Sequence, residues 1–584
     1  MSRGEGGLVR AASTRLGPVA AILLLGVAGL VACDRGAHDV AMADSQPVEW
    51  LLHSGSVMVC DAAGTVHQAI ALRGGRIVAL GSDAELRARF RAEREIDLAG
   101  RSVTPGFVDS HTHIIGVAAR HVDLEAVPSV AEMQRRVAER AAELGPGEWI
   151  TGYGWSEDEL AEARLPTRHD LDAAAPHNPV VLTRAGAHSA VASSAALALA
   201  GLDRSSPDPP RGFLGRDVAG ELDGIVGERQ DLLLDLVPPA SPEELSRSLR
   251  HQLTEQFAHG ITTLVHANAT LDELPLWRAA YEEAAAAGEV LPRAAVQVIW
   301  PGVEGSRGLR AAFEGMVGVE ADRLRLGAIK IFVDGGFTGP AAFTREPYAS
   351  AGQPGGTEPG YRGALNFGEE LLARAVLDAH RDGWQLGIHA IGDAAIELTV
   401  DWLVAALEAV PREDHRHYLN HFTVLPSAET MERMARHQIA ITQQPNFTFS
   451  VEGRYLRHLD GERLERNNAL RTPLGHGLHL AISSDILPIG PMVGLEAALT
   501  RRGRSGRVYA PDEALGLQEA LRAMTWAGAW LLFEEDAFGT LEEGKVADLV
   551  VLSEDLRQVP PEELDRVVAE HTFVDGVPVF ERRR

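Results

Sequence analysis

Cysteine is almost missing from this sequence. There are two in 584 residues, too few for a disulfide-stapled scaffold or for a zinc site built on thiolates. Positive charge is also in deficit. Fifty-five Lys and Arg stand against 82 Asp and Glu, a net charge of −27, which repels nucleic acid and anionic lipid and argues against a polyanionic partner. A mean hydropathy of −0.06 excludes a polytopic membrane protein. What remains is ordinary for a folded chain, 45% hydrophobic and 23% charged, but longer than one compact domain. The surplus is in histidine, 22 of them, so their placement decides the reading.

Arg3, Arg10 and Arg15 precede an apolar run from Val19 to Ala32. The run has the length of a signal-peptide core and is short for a membrane span. It ends in Leu30-Val31-Ala32-Cys33, which resembles a bacterial lipobox, and Asp34 after it resembles an inner-membrane retention signal. The resemblance implies a leader over 1–32, lipidation of Cys33, a polar tether over 33–48, and a protein anchored on the periplasmic side of the bacterial envelope. Cys60 would then be alone, with no intrachain disulfide.

Residues 49–104 carry short apolar runs separated by glycines, among them Ile70-Ala71-Leu72-Arg73 before Gly74-Gly75. Residues 531–584 have the same texture, with Leu549-Val550-Val551-Leu552. Together they predict one small β-sandwich assembled from both ends of the chain. The middle, 105–530, alternates apolar runs with helical stretches. Candidate strands lie at 106–109, 261–265, 294–298, 326–331, 386–389, 418–421, 439–442 and 480–483. Eight strands separated by helices predict an α/β fold, a (β/α)8 TIM-like barrel. The gap of 154 residues between the first two strands predicts an insertion, about 140–250, at the C-terminal face where barrel active sites lie. The Glu/Arg-rich helix from Ala131 to Leu144 reads as a solvated barrel exterior.

His111-Thr112-His113 ends the first strand, and a period of two points both imidazoles one way. Asp109 shares their parity and is placed to orient one of them from beneath. His389, His421 and Asp485 recur at later strand ends, spaced by 32 and 64 residues, one and two βα units. Four imidazoles and one carboxylate at one barrel mouth predict a metal site. Lys330 lies inside an apolar strand, where a bare ammonium is costly. It is either salt-bridged or a neutral amine that has captured CO2 as a carbamate bridging two cations.

These motifs resemble the amidohydrolase superfamily, in its amidohydrolase-3 branch of YtcJ-like proteins and N-substituted formamide deformylases. The matching stretches are Pro105 to His113, Lys330 to Gly336, His389 to Asp393, Ser483-Ser484-Asp485 and Gly539 to Leu549. Two positions depart from the branch: Asn420 stands where an acidic residue is usual before the strand-6 histidine, and Gly335-Gly336-Phe337 replaces a small, Ser-containing segment. The resemblance implies that His111, His113 and Asp485 hold one metal and His389 and His421 a second. Carboxylated Lys330 would bridge the pair, expected to be two Zn2+. It further implies a metal-activated hydroxide as nucleophile, with Asp485 shuttling its proton to the leaving amine.

The expected activity is hydrolysis of a non-peptide C–N bond, of amide or formamide type, in a small molecule. An ester or other carbonyl substrate on the same centre is the alternative, and an inactive metal-containing binding lipoprotein the other. On the substrate side the candidates are Tyr153, Trp155 and His188 in the insertion and Arg471 before the last strand, with His266 beside the mouth. A homodimer is compatible with the sequence.

Overall fold

The computed structural model describes residues 45–583 apart from 126, 158–159, 163, 185–188, 211, 307, 310–322, 338–339, 354–355 and 486–489. Cys33 and His188 lie outside the described residues. No helix among the described residues is long and apolar enough to cross a membrane. All elements below belong to the unit Gln46–Arg584.

Eight strands run parallel in sequential order: β1 Phe107–Thr112, β2 Ile261–Ala269, β3 Arg293–Ile299, β4 Leu324–Phe332, β5 Leu386–Ala390, β6 Tyr418–His421, β7 Ala440–Gln443 and β8 Leu480–Ile482. Most positions on them are buried, β4 less completely than the others, because a parallel sheet is covered on both faces, and so each strand reads as a short apolar run. Outward-facing Leu264, Val296, Ile329, Ile388, Leu419 and Ile441 pack under helices in the largest hydrophobic core.

The inward face is different. Ala295, Ala328, Ala440 and Ala481 leave room on the axis, and the short helix Trp526–Leu531 fills it with Ala527, Ala529 and Leu531 against Val108, Val265 and Tyr418. Gly528 lies so close to β1 that a Cβ there would stand 2.6 Å from Val108 Cγ1. A segment from the end of the chain thus plugs the barrel, an arrangement the sequence pattern did not disclose.

The two ends of the chain build two further sheets. One orders 76–81, 69–73, 46–53 and 90–97; the other orders 577–581, 569–574, 549–552, 102–105, 56–58 and 66–67. Leu52, Ile70 and Leu72 of the first pack on Val103, Val551 and Phe573 of the second. Val103 pairs directly with Val551, so strands from opposite ends share one ladder. Cys60 is buried and forms no disulfide.

Between β1 and β2 lies a six-stranded mixed sheet, from His121–Asp123 to Leu222–Gly227. The helix Val130–Leu144 covers it, burying Val130, Met133 and Val137 against Leu124, Ile150 and Trp155. This corrects the expectation that the helix coats the barrel: its apolar stripe belongs to the inserted unit.

Candidate metal centre

The strand ends deliver the predicted residues to one place. His111 lies on β1 and His113 just beyond it. Lys330 lies on β4, His389 on β5, His421 at the end of β6, and Asp485 three residues past β8. Asp485 also joins β8 to β1: its N–H donates to the His111 carbonyl at 2.8 Å, and it bridges Thr112 in parallel. Ser110 Oγ donates to the Ile482 carbonyl across the same seam, at 3.2 Å. His421 and Asp485 have φ of 79° and 61°. Left-handed backbone is uncommon outside glycine and concentrates at functional sites.

Asp485 Oδ1 lies 2.9 Å from His113 Nε2 and 3.5 Å from His111 Nε2. One ligand atom each from His111, His421 and Asp485 falls within 4.8 Å of the others. The His421 ring is 4.8 Å from His111 and 4.5 Å from His389. The far nitrogens are already engaged. His111 Nδ1 meets Asn420 Oδ1 at 2.8 Å, and His421 Nδ1 meets Gln444 Oε1 at 2.9 Å. Left over are His111 Nε2, His389 Nε2 and Lys330 Nζ, all buried and without a hydrogen bond. Buried polar atoms without partners are costly. Imidazole nitrogens and a carboxylate converging on one point are the donor set a divalent cation such as zinc takes, so the residues fit a metal.

Electrostatics agree. Burial, then the nearby Lys330 charge, holds His111 well below the usual imidazole range, and burial pushes His389 to about 3, so both are neutral and able to donate lone pairs near pH 7. Burial lowers Lys330 to about 7, although Asp485 opposes it. Burial acts to raise Asp485, but the His113 hydrogen bond and the neighbouring His421, His113 and Lys330 outweigh it and keep the carboxylate ionised.

The expected orienting residue is corrected. Asp109 Oδ1 accepts the backbone N–H of His111 at 3.3 Å and of Ser484 at 3.1 Å, holding main chain rather than an imidazole. Asn420 holds the ring instead. Strand alternation would send Asn420 and His421 to opposite faces, yet His111 touches both; the left-handed turn at His421 breaks the alternation.

Two residues support the cluster: Asp334, to which the sequence assigned no role, and His266, which it placed beside the mouth. Buried Asp334 accepts N–H groups of Ile391, Gly392 and Phe343 at 2.8–3.0 Å and lies 3.7 Å from His389 Nε2, so it fixes the loops after β4 and β5 around that ring. His266 accepts the Ile114 N–H at 3.2 Å and packs 4.8 Å from Trp277, which secures the backbone just after His113.

Of the substrate-side candidates, His266 lies beside the cluster, its ring 6.2 Å from that of His113, whereas Trp155 and Arg471 are engaged elsewhere. Trp155 is fully buried in the core of the inserted unit, where its indole N–H donates to the Leu182 carbonyl at 2.9 Å. Tyr153, two residues earlier, is 39% exposed. The Arg471 guanidinium is engaged by Glu519, at 2.5 and 2.8 Å, and by the Ala514 carbonyl.

The amidohydrolase family model (Amidohydro_3) matches residues 94–580. YtcJ of Bacillus subtilis (strain 168), named as an amidohydrolase, is 31% identical over 542 residues, covering 91% of this chain and 99% of its own. The N-substituted formamide deformylase of Arthrobacter pascens is 28% identical over 559 residues, covering 92% and 99%. Among solved structures, a metal-dependent hydrolase of Pyrococcus furiosus superposes with a TM-score of 0.64 at 25% identity, covering 88% of this chain and 99% of its own. With strand-end histidines and Asp485 joined at the mouth of a parallel barrel, and a family match running from residue 94 to residue 580, this chain is a member of the amidohydrolase family.

Proposed function

We propose that the protein is a metal-dependent hydrolase that cleaves a non-peptide C–N bond, of amide or formamide type, in a small molecule. The observation that carries this is the convergence of His111 Nε2, His389 Nε2 and Lys330 Nζ, buried and without hydrogen bonds, beside ionised Asp485. The choice of bond is supported by the end-to-end likeness to a formamide deformylase.

His111, His113 and Asp485 would hold one divalent cation, His389 and His421 a second, and Lys330, carboxylated, would join them. Bound there, zinc supplies Lewis acidity, polarising a carbonyl and bringing the pKa of water toward neutrality. Lys330 is suited to carboxylation because burial brings its amine to about 7, so an unprotonated lone pair is available near neutral pH. Asp485 accepts a proton at a carboxylate oxygen and returns it to the leaving nitrogen. His113 Nε2 lies 2.9 Å from Asp485 Oδ1, which places the two donors beside one another. Asp334 fixes the loops around His389.

The same proposal sets the protein on the periplasmic side of the envelope, tethered by lipid on Cys33; its support is the sequence from Val19 to Asp34.

The deciding experiment is a hydrolysis screen with metal-reconstituted protein across formamides, N-acyl amines, lactams and esters, alongside elemental analysis. The expected result is turnover of a formamide or amide, with about two divalent ions per chain. Turnover of esters alone overturns the C–N assignment, and full activity in metal-free protein overturns the metal.

A further inference from the structure

The residue beside the His421 ligand position deepens the metal reading, on which this inference rests. Asn420 is fully buried. Its Oδ1 receives two bonds, from His111 Nδ1 at 2.8 Å and from the Thr442 hydroxyl at 3.0 Å. Thr442 sits on β7 next to β6, in register with Asn420. Because Oδ1 can only accept, His111 Nδ1 must carry its proton, and His111 Nε2 is left with a lone pair facing Asp485. Asn420 Nδ2 is buried without a hydrogen bond.

We propose that Asn420 is a positioning residue of the metal centre: held by Thr442, it locks His111 in the Nδ1–H tautomer so that Nε2 is the ligand atom, and it does so without adding charge. A carboxylate at this position would accept the same two bonds and add one negative charge to the surroundings of the cations. The neutral amide therefore sets a lower metal affinity than the geometry alone would allow. Partners of ligating histidines have effects of this kind on metal binding, typically 10–100-fold.

The test measures metal affinity, not turnover. Full-length apo-protein is titrated with Zn2+ in competition with a chromophoric chelator, and with Co2+ to read the ligand-field absorbance. The variants are Asn420→Asp, Asn420→Leu and Thr442→Val, with His111→Asn as the control for the ligand itself. Expected are roughly 10–100-fold weaker Zn2+ binding for Asn420→Leu, binding at or above the parent for Asn420→Asp, and a smaller loss for Thr442→Val. If Asn420→Leu binds like the parent while His111→Asn does not, the positioning role is overturned. If Asn420→Asp weakens binding as much as Asn420→Leu, the acceptor argument is overturned. If His111→Asn also binds like the parent, it is the metal reading of His111 that fails. Should Asn420→Leu not fold, Asn420→Asp and Thr442→Val carry the same comparison.

Discussion

Asp485 donates its backbone N–H to the His111 carbonyl at 2.8 Å, so the residue assigned the proton transfer also stitches the last barrel strand to the first. Side chain and backbone at this position have separate duties, and a substitution can be chosen to disturb only one.

Asn is that choice. It tolerates the left-handed φ of 61° found at Asp485 and preserves the backbone bond, but it cannot take up and release a proton. Asp485→Asn should retain metal and melt within a few degrees of the parent, while losing about 10³-fold or more in kcat. Elemental analysis with steady-state kinetics checks this; near-parental turnover would remove Asp485 from the mechanism.

Trp155 and Tyr153 should separate cleanly. Trp155→Ala opens the core of the inserted unit and should cost about 3–5 kcal/mol. Trp155→Phe strands the Leu182 carbonyl, which loses its indole donor, at about 1–3 kcal/mol. Tyr153→Phe, at a position 39% exposed, should cost less than either. Chemical denaturation with kinetics on the same samples measures both; loss of activity in Trp155→Phe without loss of stability would return that indole to the substrate side.

Acid should weaken the fold through three histidines at the opposite ends of β5 and β6 from the metal centre. His380 donates from Nε2 to the Val410 carbonyl and meets His417 at 2.9 Å. His417 Nδ1 accepts the Leu386 N–H, and His415 bridges the His417 N–H and the His437 carbonyl. Each ring serves as an acceptor and must be neutral. Burial is the main cause that lowers His415 to about 4 and holds His417 well below the usual range. An imidazole lowered in the folded state lets the unfolded chain take the proton first. Stability is therefore full above about 6.5, the unperturbed value, and declines as pH falls toward 4. His415→Asn, which keeps an acceptor for the His417 N–H, should flatten that decline in urea midpoints measured from pH 7 to 4. Parallel acid limbs for variant and parent would exclude the trio as the cause.

Gly528→Ala should destabilise the plug by about 1–3 kcal/mol through overpacking, because the new methyl would meet Val108 at 2.6 Å. Differential scanning calorimetry reads the loss. An unchanged melting temperature would mean that helix and strand separate at no cost.

Cys33→Ser should move the protein from the membrane to the soluble fraction of its native host. Unchanged fractionation would contradict lipidation.

The eight strands were legible within a few residues because a doubly covered strand is an apolar run and its polar ligand stands at the C-terminal end, as Ile388 before His389 illustrates. The plug was not legible, since Ala527, Ala529 and Leu531 would suit any buried helix, and only the alanines on four distant strands reveal where it fits. Asp109 was placed by strand parity, which holds only while the backbone stays extended; Asn420 was hidden by the same rule, broken at His421. Arg471 looked available because its partner, Glu519, lies 48 residues downstream. Trp155 looked like a binding aromatic because period-two alternation does not say which face of the inserted sheet is covered.

The seam between Thr112 and Asp485 also fixes when the centre can exist. Its two sides lie far apart in the order of synthesis, with 373 positions separating Thr112 from Asp485. At about 5–20 residues per second, a growing chain carries His111 and His113 for roughly 20–75 s before the carboxylate that completes their site is made. On the proposed assignment, cation capture comes late, after nearly the whole polypeptide is available, and a chain truncated before its last barrel strand would hold histidines but no centre.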